Sequence, residues 1–315
     1  MSTPIRIGTR ESQLAVWQAT LVKDSLREHG IAAELCFIKS EGDIDLKTPL
    51  YEMGVQGIFT KTLDAALLNN KIDIAVHSMK DVPTQLAIGL AQAAVLKRAS
   101  HKDLLVVKGE LPIVKEKLQH PSTLNPNPFT VATSSIRRKA QWLHRYPNHQ
   151  IENLRGNVNT RLKKLEESNW DGAIFAAAGL ERINLRPENS IELDWMLPAP
   201  AQGAISIVCR DEDHQTKEKL ALLNDEATAL CTKIEKEFLR TLLGGCSTPI
   251  SALAEIEDDE LFFRGNIFSL DGRKKVEIEK VLPIDTIANL GKWAAEELLN
   301  NGGQEVADEI RNATK

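Results

Sequence analysis

Strand-like apolar runs alternate with helix-like segments along the first half of the chain, and the alternation then starts again. Ile5-Arg-Ile-Gly-Thr9 predicts a strand, and Ser12 predicts the cap of a helix running through Trp17 and Leu21 toward Gly30. A second strand is expected over 34–39 and a helix over 59–69, with Leu63, Ala66 and Leu67 on its apolar face. Ile72-Asp-Ile-Ala-Val-His77 predicts a third strand. This β-α-β-α-β order requires a mainly parallel sheet with helices on its faces. Beyond a charged junction at 97–103 the rhythm returns. Strands are expected over 104–108, 129–133, 151–154 and 173–177, with helices over 135–144 and 160–167. Leu197-Pro-Ala-Pro200 reads as a hinge, and the strand after it, 204–208, is expected to rejoin the first sheet.

From Glu226 the pattern changes. A helix to Arg240 leads into a Gly244-Gly245-Cys246 loop, then three strands over 250–256, 261–270 and 273–282. Asp271-Gly272 is a hairpin signal between the last two. A long helix is expected from Ile284 toward Asn300, ending at Gly302-Gly303. With 315 residues the chain exceeds a single core. The segmentation predicts a first α/β domain from 1–99 and 203–222, a second from 100–202, and a small α+β domain over 223–315.

Hydrophobic residues make up 42% and charged residues 26%, which excludes disordered, collagen-like and coiled-coil chains. No apolar run approaches the ~20 residues that span a bilayer. The N-terminus carries Arg6, Arg10 and Glu11 without an apolar stretch, so a cytoplasmic protein is expected. The net charge of -5 argues against a nucleic-acid binder. Cys36, Cys209 and Cys231 lie in apolar runs and read as buried small hydrophobes, whereas Cys246 sits in a loop after a helix end. No Cys/His spacing suits zinc, so no metal is expected. GxGxxG, P-loop, HExxH and GxSxG motifs are all missing, which lowers nucleotide- and zinc-based chemistry.

What remains is a set of strand-to-helix junctions rich in hydroxyls and arginines. They are Gly8-Thr-Arg-Glu-Ser12, Ala132-Thr-Ser-Ser-Ile-Arg-Arg138 and Leu154-Arg-Gly-Asn-Val-Asn-Thr-Arg161. A helix N-terminus with free N–H donors beside guanidinium groups suits carboxylates or phosphates. Taken singly, each hydroxyl is an ordinary helix cap. Together, at the carboxyl ends of strands in two α/β units, they predict an anion-binding cleft between the domains. From Thr133 to Lys164 eight basic residues face only Glu152, which fits a specific anionic ligand.

A fourth junction, His77-Ser-Met-Lys-Asp-Val-Pro83, places Asp81 among these cations. Alone it reads as a salt-bridged turn. Beside the arginine clusters it reads as the group that stabilises positive charge developing on a substrate.

Five segments in order, Val76-His-Ser-Met-Lys-Asp-Val-Pro83, Thr133-Ser-Ser-Ile-Arg-Arg138, Leu154-Arg-Gly-Asn-Val-Asn-Thr-Arg161, Ala177-Ala-Gly-Leu180 and Gly244-Gly-Cys-Ser-Thr-Pro249, carry a resemblance across nearly the whole chain. The sequence resembles the porphobilinogen deaminase (hydroxymethylbilane synthase) family. The resemblance implies two doubly wound domains like type II periplasmic binding proteins, plus a small C-terminal α+β domain. It also implies a transferase of tetrapyrrole (haem) biosynthesis. Such an enzyme adds four porphobilinogen units, each losing ammonia, to a dipyrromethane cofactor, and water then releases hydroxymethylbilane. By resemblance the cofactor is held by Cys246 through a thioether, with Ser78, Lys80, Thr133, Ser134, Ser135, Arg137, Arg138, Arg155, Gly156 and Asn157 around it. Arg10, Ser12, Phe59, Arg155, Arg161, Arg182 and Gln202 are implied to bind substrate, with Asp81 catalytic. A monomer acting on small molecules, with no nucleic-acid or membrane partner, is expected.

The pyrrole acetates and propionates explain the arginines. The leaving amine is already an ammonium at neutral pH, so Asp81 is expected to act as an ionised stabiliser of the cationic azafulvene and as a pyrrole N–H acceptor rather than as an acid. An opposite charge at ~4 Å and an effective dielectric near 20 is worth on the order of 4 kcal/mol. The segment 50–59 departs from the family pattern: Glu52 and Gln56 stand where many members carry lysines, while Phe59 and Lys61 remain. The long stretch between Lys39 and Phe59 reads as a lid. The competing expectation is a two-lobed solute-binding module without catalysis, against which Asp81 and Cys246 argue.

Overall fold

The computed structural model describes residues 3–39, 60–119, 128–242 and 248–313. Phe59, Glu52, Gln56 and Cys246 lie outside the described residues, as does most of the expected lid.

The first lobe holds β1 (Ile5–Thr9), α1 (Gln13–Glu28), β2 (Ala33–Phe37), α2 (Lys61–Leu68), β3 (Ile74–Ser78), β4 (Leu90–Leu96), a returning strand β10 (Ile205–Arg210) and α7 (His214–Ala221) after it. Its sheet order is β2-β1-β3-β10-β4. Ser12 caps α1 by accepting from the Ala15 N–H at 3.4 Å, and Ala19, Val22 and Leu26 turn that helix's apolar stripe into the sheet. β3 is buried over Ile74–His77, as expected of a strand covered on both faces.

The second lobe holds β5 (Asp103–Val107), α3 (Leu111–Gln119), β6 (Thr130–Ala132), α4 (Ile136–Arg145), β7 (Gln150–Glu152), α5 (Val158–Glu167), β8 (Gly172–Ala176), α6 (Ala177–Glu181) and β9 (Ser190–Glu192). Its order, β7-β6-β8-β5-β9, repeats that of the first lobe with β5 in the place of β10.

Each sheet is mainly parallel, as the alternation predicts, with one reversed strand. β1 pairs parallel with β2 and β3, and β6 with β7 and β8, but β10 and β5 run antiparallel to both their neighbours. The cause is topological. β3 and β8 end at the cleft between the lobes, and each crossover delivers its next strand from that cleft, so the strand must run the opposite way. The two crossovers touch: Ala99 N–H donates to Gly203 O at 3.1 Å. A Cβ on Gly203, whose φ is +90°, would lie 2.5 Å from Ala99 O, so only glycine allows the contact.

The third unit packs α8 (Glu226–Leu242) and α9 (Leu290–Leu298) on an antiparallel meander of β11 (Ile250–Glu257), β12 (Glu260–Phe268) and β13 (Lys275–Pro283). Phe238 of α8 meets Phe263 of β12 edge-on, ring centroids 5.2 Å apart, at the centre of that core. The helix expected to stop at Gly302-Gly303 does end there, although it starts only at Leu290, and a further helix follows it. Gly302 takes φ +102° and turns the chain, and α10 (Gln304–Ala313) then buries Val306, Ala307 and Ile310. Cys209 and Cys231 are buried as expected, while Cys36 is only half-buried. Burial pushes the Cys231 thiol up to about 12. Among the described residues no helix is long and apolar enough to cross a membrane, and no cluster of His, Cys, Asp or Glu has the makings of a metal site.

Candidate active site

The carboxyl ends of β1, β3, β6 and the chain after β7 bring the predicted junctions to one cleft. On the first lobe, Ser78 ends β3 and its hydroxyl accepts from Gln18 Nε2 at 2.8 Å. A single 3-10 turn over Met79–Asp81 follows, burying Met79 and delivering Lys80 and Asp81 to the cleft. Arg10, Ser12, Thr60, His77, Ser78 and Asp81 line one small cavity of about 80 Å³. His77 is buried, and burial together with the nearby Arg10 lowers it to about 4, so it is neutral at pH 7.

The second lobe supplies most of the cations. Ser135 caps α4 by accepting from the Arg138 N–H at 3.4 Å, Thr133 Oγ1 accepts from the Ser135 N–H at 3.2 Å, and Ser134 donates to Leu154 O at 2.7 Å. The three hydroxyls thus shape the loop that starts α4. Asn157 caps α5 through the Thr160 N–H at 2.9 Å, and Gly156, at φ +116°, presents its carbonyl to Arg161 Nε at 2.7 Å. Arg155 is buried, and its carbonyl accepts from Lys164 Nζ at 3.1 Å. Arg182 Nη2 donates to Gly203 O at 2.6 Å, and its guanidinium stands 5.7 Å from the Trp17 ring centroid.

Arg137 and Arg138 hold a residue that sequence reasoning missed. Both are buried, and their Nη2 atoms donate to the carboxylate of fully buried Asp103 at 2.7 and 2.8 Å. Burial raises the Asp103 carboxyl, but the two arginines overcome that and hold it well below the usual carboxylate range. Gln202, expected to bind substrate, is 1% exposed. Its Nε2 donates to His101 O at 2.8 Å and to Asp103 at 2.9 Å, while its Oε1 accepts from Lys80 Nζ at 3.3 Å.

Two shifts report what surrounds Asp81. Burial lowers Lys80 to about 8, with Asp81 opposing the shift and Arg138 adding to it. Arg161, on the opposite lobe, falls to about 10 through burial and Arg138, again opposed by Asp81. The Asp81 side chain is itself exposed and acts on a cation from each lobe.

A bound group that carries carboxylates fits this cleft. The buried Nε atoms of Arg137, Arg138 and Arg182 have no hydrogen-bond partner among the described residues, and a buried donor left unpaired is costly. Arg10, Lys80, Arg155 and Arg161 add to the positive field, against Asp81 and Asp103. Dipyrromethane, with its acetate and propionate arms, has the matching charge. A larger cavity of about 370 Å³ lies between α4 and the sheet of the third unit and contains none of the predicted residues.

The family description "Porphobilinogen deaminase, dipyromethane cofactor binding domain" matches residues 5–218, and "Porphobilinogen deaminase, C-terminal domain" matches 229–300. The porphobilinogen deaminase of Acidithiobacillus ferrooxidans is 40% identical over 317 residues, covering 99% of this chain and all of the relative. That of Chloroherpeton thalassium is 38% identical, covering 99% of each chain, and that of Pelobacter propionicus is 39% identical, covering 97% of each. Among solved structures, an ABC transporter from Parabacteroides distasonis overlays with a TM-score of 0.42 at 12% identity, covering 75% of this chain and 74% of that one. The two matched regions and the near-full-length relatives show that the chain belongs to the porphobilinogen deaminase family, transferases of tetrapyrrole biosynthesis that polymerise porphobilinogen on a dipyrromethane cofactor.

Proposed function

We propose that Asp81 is the catalytic carboxylate of this transferase, and that the arginines of the two lobes divide cofactor from substrate. The observation that carries the reading is one exposed carboxylate acting on Lys80 of one lobe and Arg161 of the other inside a cationic cleft. Bound dipyrromethane supplies a nucleophilic pyrrole carbon as the growing end. Cys246 is assigned as its attachment point. Ser78, Lys80, Thr133, Ser134, Ser135, Arg137, Arg138, Arg155, Gly156 and Asn157 are assigned to the cofactor's polar surround, and Arg10, Ser12, Phe59, Arg155, Arg161 and Arg182 to substrate. Gln202 joins them through Lys80.

Asp81 keeps a negative charge beside the substrate carbon from which the ammonium departs and accepts the pyrrole N–H. Loss of an amine that is already protonated asks for no acid, so a permanently charged carboxylate suits the step better than a proton donor. The lobes carry the anion-binding junctions over 1–99 with 203–222 and over 100–202, and 223–315 carries the cysteine loop. We place the enzyme in the cytoplasm as a monomer acting on small molecules, with neither nucleic acid nor membrane as partner, in keeping with the net charge of -5.

Intact-protein mass spectrometry tests the assignment. The purified enzyme is expected to carry the mass of two linked pyrrole units, located on the peptide containing Cys246. An unmodified chain from cells that make haem would favour a solute-binding module instead.

A further inference from the structure

The crossover between the lobes ends in a carboxylate that the established chemistry leaves without a task. Asp103 is the first residue of β5 and is fully buried. It accepts from Arg137 and Arg138, which stand at the start of α4, and from Gln202 on the second crossover. Gln202 in turn accepts from Lys80, the neighbour of Asp81. A continuous hydrogen-bonded path therefore runs from the arginines of the second lobe, through both crossovers, to the turn of the first lobe that carries the catalytic carboxylate.

We infer that Asp103 is a positioning residue for the reaction, which sets the two guanidinium groups of the second lobe and, through Gln202, the ammonium of Lys80. The geometry explains the choice of residue. Each guanidinium spends one Nη on a main-chain carbonyl, Arg137 on Leu197 O at 2.7 Å and Arg138 on Ile174 O at 2.8 Å, and the other on Asp103. Two like charges so close are tolerated because one carboxylate lies between them. Each is then fixed at two points, with its Nε left for a ligand carboxylate. Apolar packing at position 103 would leave the arginines to repel, and a neutral amide would hold them without balancing their charge.

The inference rests on the assignment of Lys80 to the cleft, so its test reads Lys80 directly. Lys80 is faced by Asp81 on its own turn, by Asp103 from β5 and by Arg137 and Arg138 from α4. In Asp103→Asn the arginines lose their balancing anion and Lys80 loses an attractive charge. The ammonium of Lys80 should then deprotonate about one pH unit or more below the wild-type value of about 8. The extent of acetic anhydride labelling of Lys80 against pH, read by peptide mass spectrometry on the holoenzyme, measures this whatever Lys80 does in turnover. The alkaline limb of kcat/KM should move down by the same amount, with turnover reduced at least tenfold.

Leu105→Ala, a buried neighbour on the same strand, serves as a control for destabilisation and should leave both profiles in place. Should Asp103→Asn fail to fold, Gln202→Met keeps the Asp103–arginine pairs while removing the Lys80 acceptor, and it must lower the Lys80 titration in the same direction. A Lys80 titration unmoved in the variant that folds would overturn the inference. A wild-type rate profile with no alkaline limb near 8, beside a shifted labelling profile, would instead contradict the role of Lys80 and leave the positioning path standing.

Discussion

Arg98 grips Glu235 with both terminal nitrogens, at 2.6 and 3.2 Å, and this pair joins the first crossover to the helix α8 of the third unit. Glu235 is fully buried and also accepts from the backbone N–H groups of Ala201, at 2.5 Å, and Ala254, at 2.8 Å. One carboxylate thus ties the first crossover, the second crossover and the sheet of the third unit. Glu235→Ala leaves the largely buried Arg98 guanidinium without its carboxylate, holding only Gln202 O through Nε at 2.8 Å, and leaves two amides unpaired, which costs about 3–5 kcal/mol. Thermal or urea unfolding is expected to show that loss. A loss under ~1 kcal/mol would mean that the units are held together elsewhere.

His77 gives the protein an acid-sensitive point. Its folded value of about 4 lies below the ordinary imidazole value of 6.5, so the unfolded chain binds a proton that the folded one refuses. Stability is therefore intact above about 6.5 and declines as pH falls toward 4, by roughly 3 kcal/mol in all at ~1.4 kcal/mol per pH unit. His77→Gln, which does not titrate, should flatten the decline of unfolding free energy between these limits. An unchanged slope would assign the acid sensitivity to other groups.

Cys246→Ser should fold and lack both cofactor and activity, because a hydroxyl is a far weaker nucleophile than a thiol at neutral pH. Serine at Cys36, Cys209 or Cys231 should leave the cofactor adduct in place, because these positions belong to strands or helices of the cores. An active Cys246→Ser enzyme would contradict the attachment.

The strand and helix periods made most of the lobes legible, because Ile5, Ile7, Ile74 and Val76 fall in apolar runs bounded by turn residues. β4 was not legible: Leu90-Ala-Gln-Ala-Ala-Val-Leu96 lacks both alternation and the β-branched enrichment that marks a strand. β9 has only three residues, too few for a period. The site shows the same division. Local junctions announced Arg137, Arg138, Asn157 and Asp81, since hydroxyls, glycines and arginines cluster there within a few positions. Asp103 stayed hidden inside a charged junction, because its partners lie 34 and 35 positions away on α4 and nothing in the local pattern pairs them. The same holds for Gln202, which the resemblance implies to bind substrate but whose side chain is occupied by the crossovers and Lys80.

Glu52 and Gln56, where many relatives carry lysines, fall outside the described residues. An exposed ion pair contributes roughly 0–1 kcal/mol, so Gln56→Lys is expected to modulate elongation rather than control it. Intact masses after limiting substrate should show altered proportions of enzyme carrying one, two or three added rings, with cofactor attachment unchanged. Identical proportions would place position 56 out of electrostatic reach of the growing chain.

The central claim is that an ionised Asp81 lowers the barrier by holding charge, and the single-turnover rate of Asp81→Asn tests it most directly. Asparagine keeps the size and an acceptor oxygen but removes the charge that acts on Lys80 and Arg161. With the cofactor mass confirmed on the variant, the rate of the first porphobilinogen addition should fall by about 10²–10³. A drop of less than about fivefold, ~1 kcal/mol in barrier, would show that the carboxylate only shapes the turn.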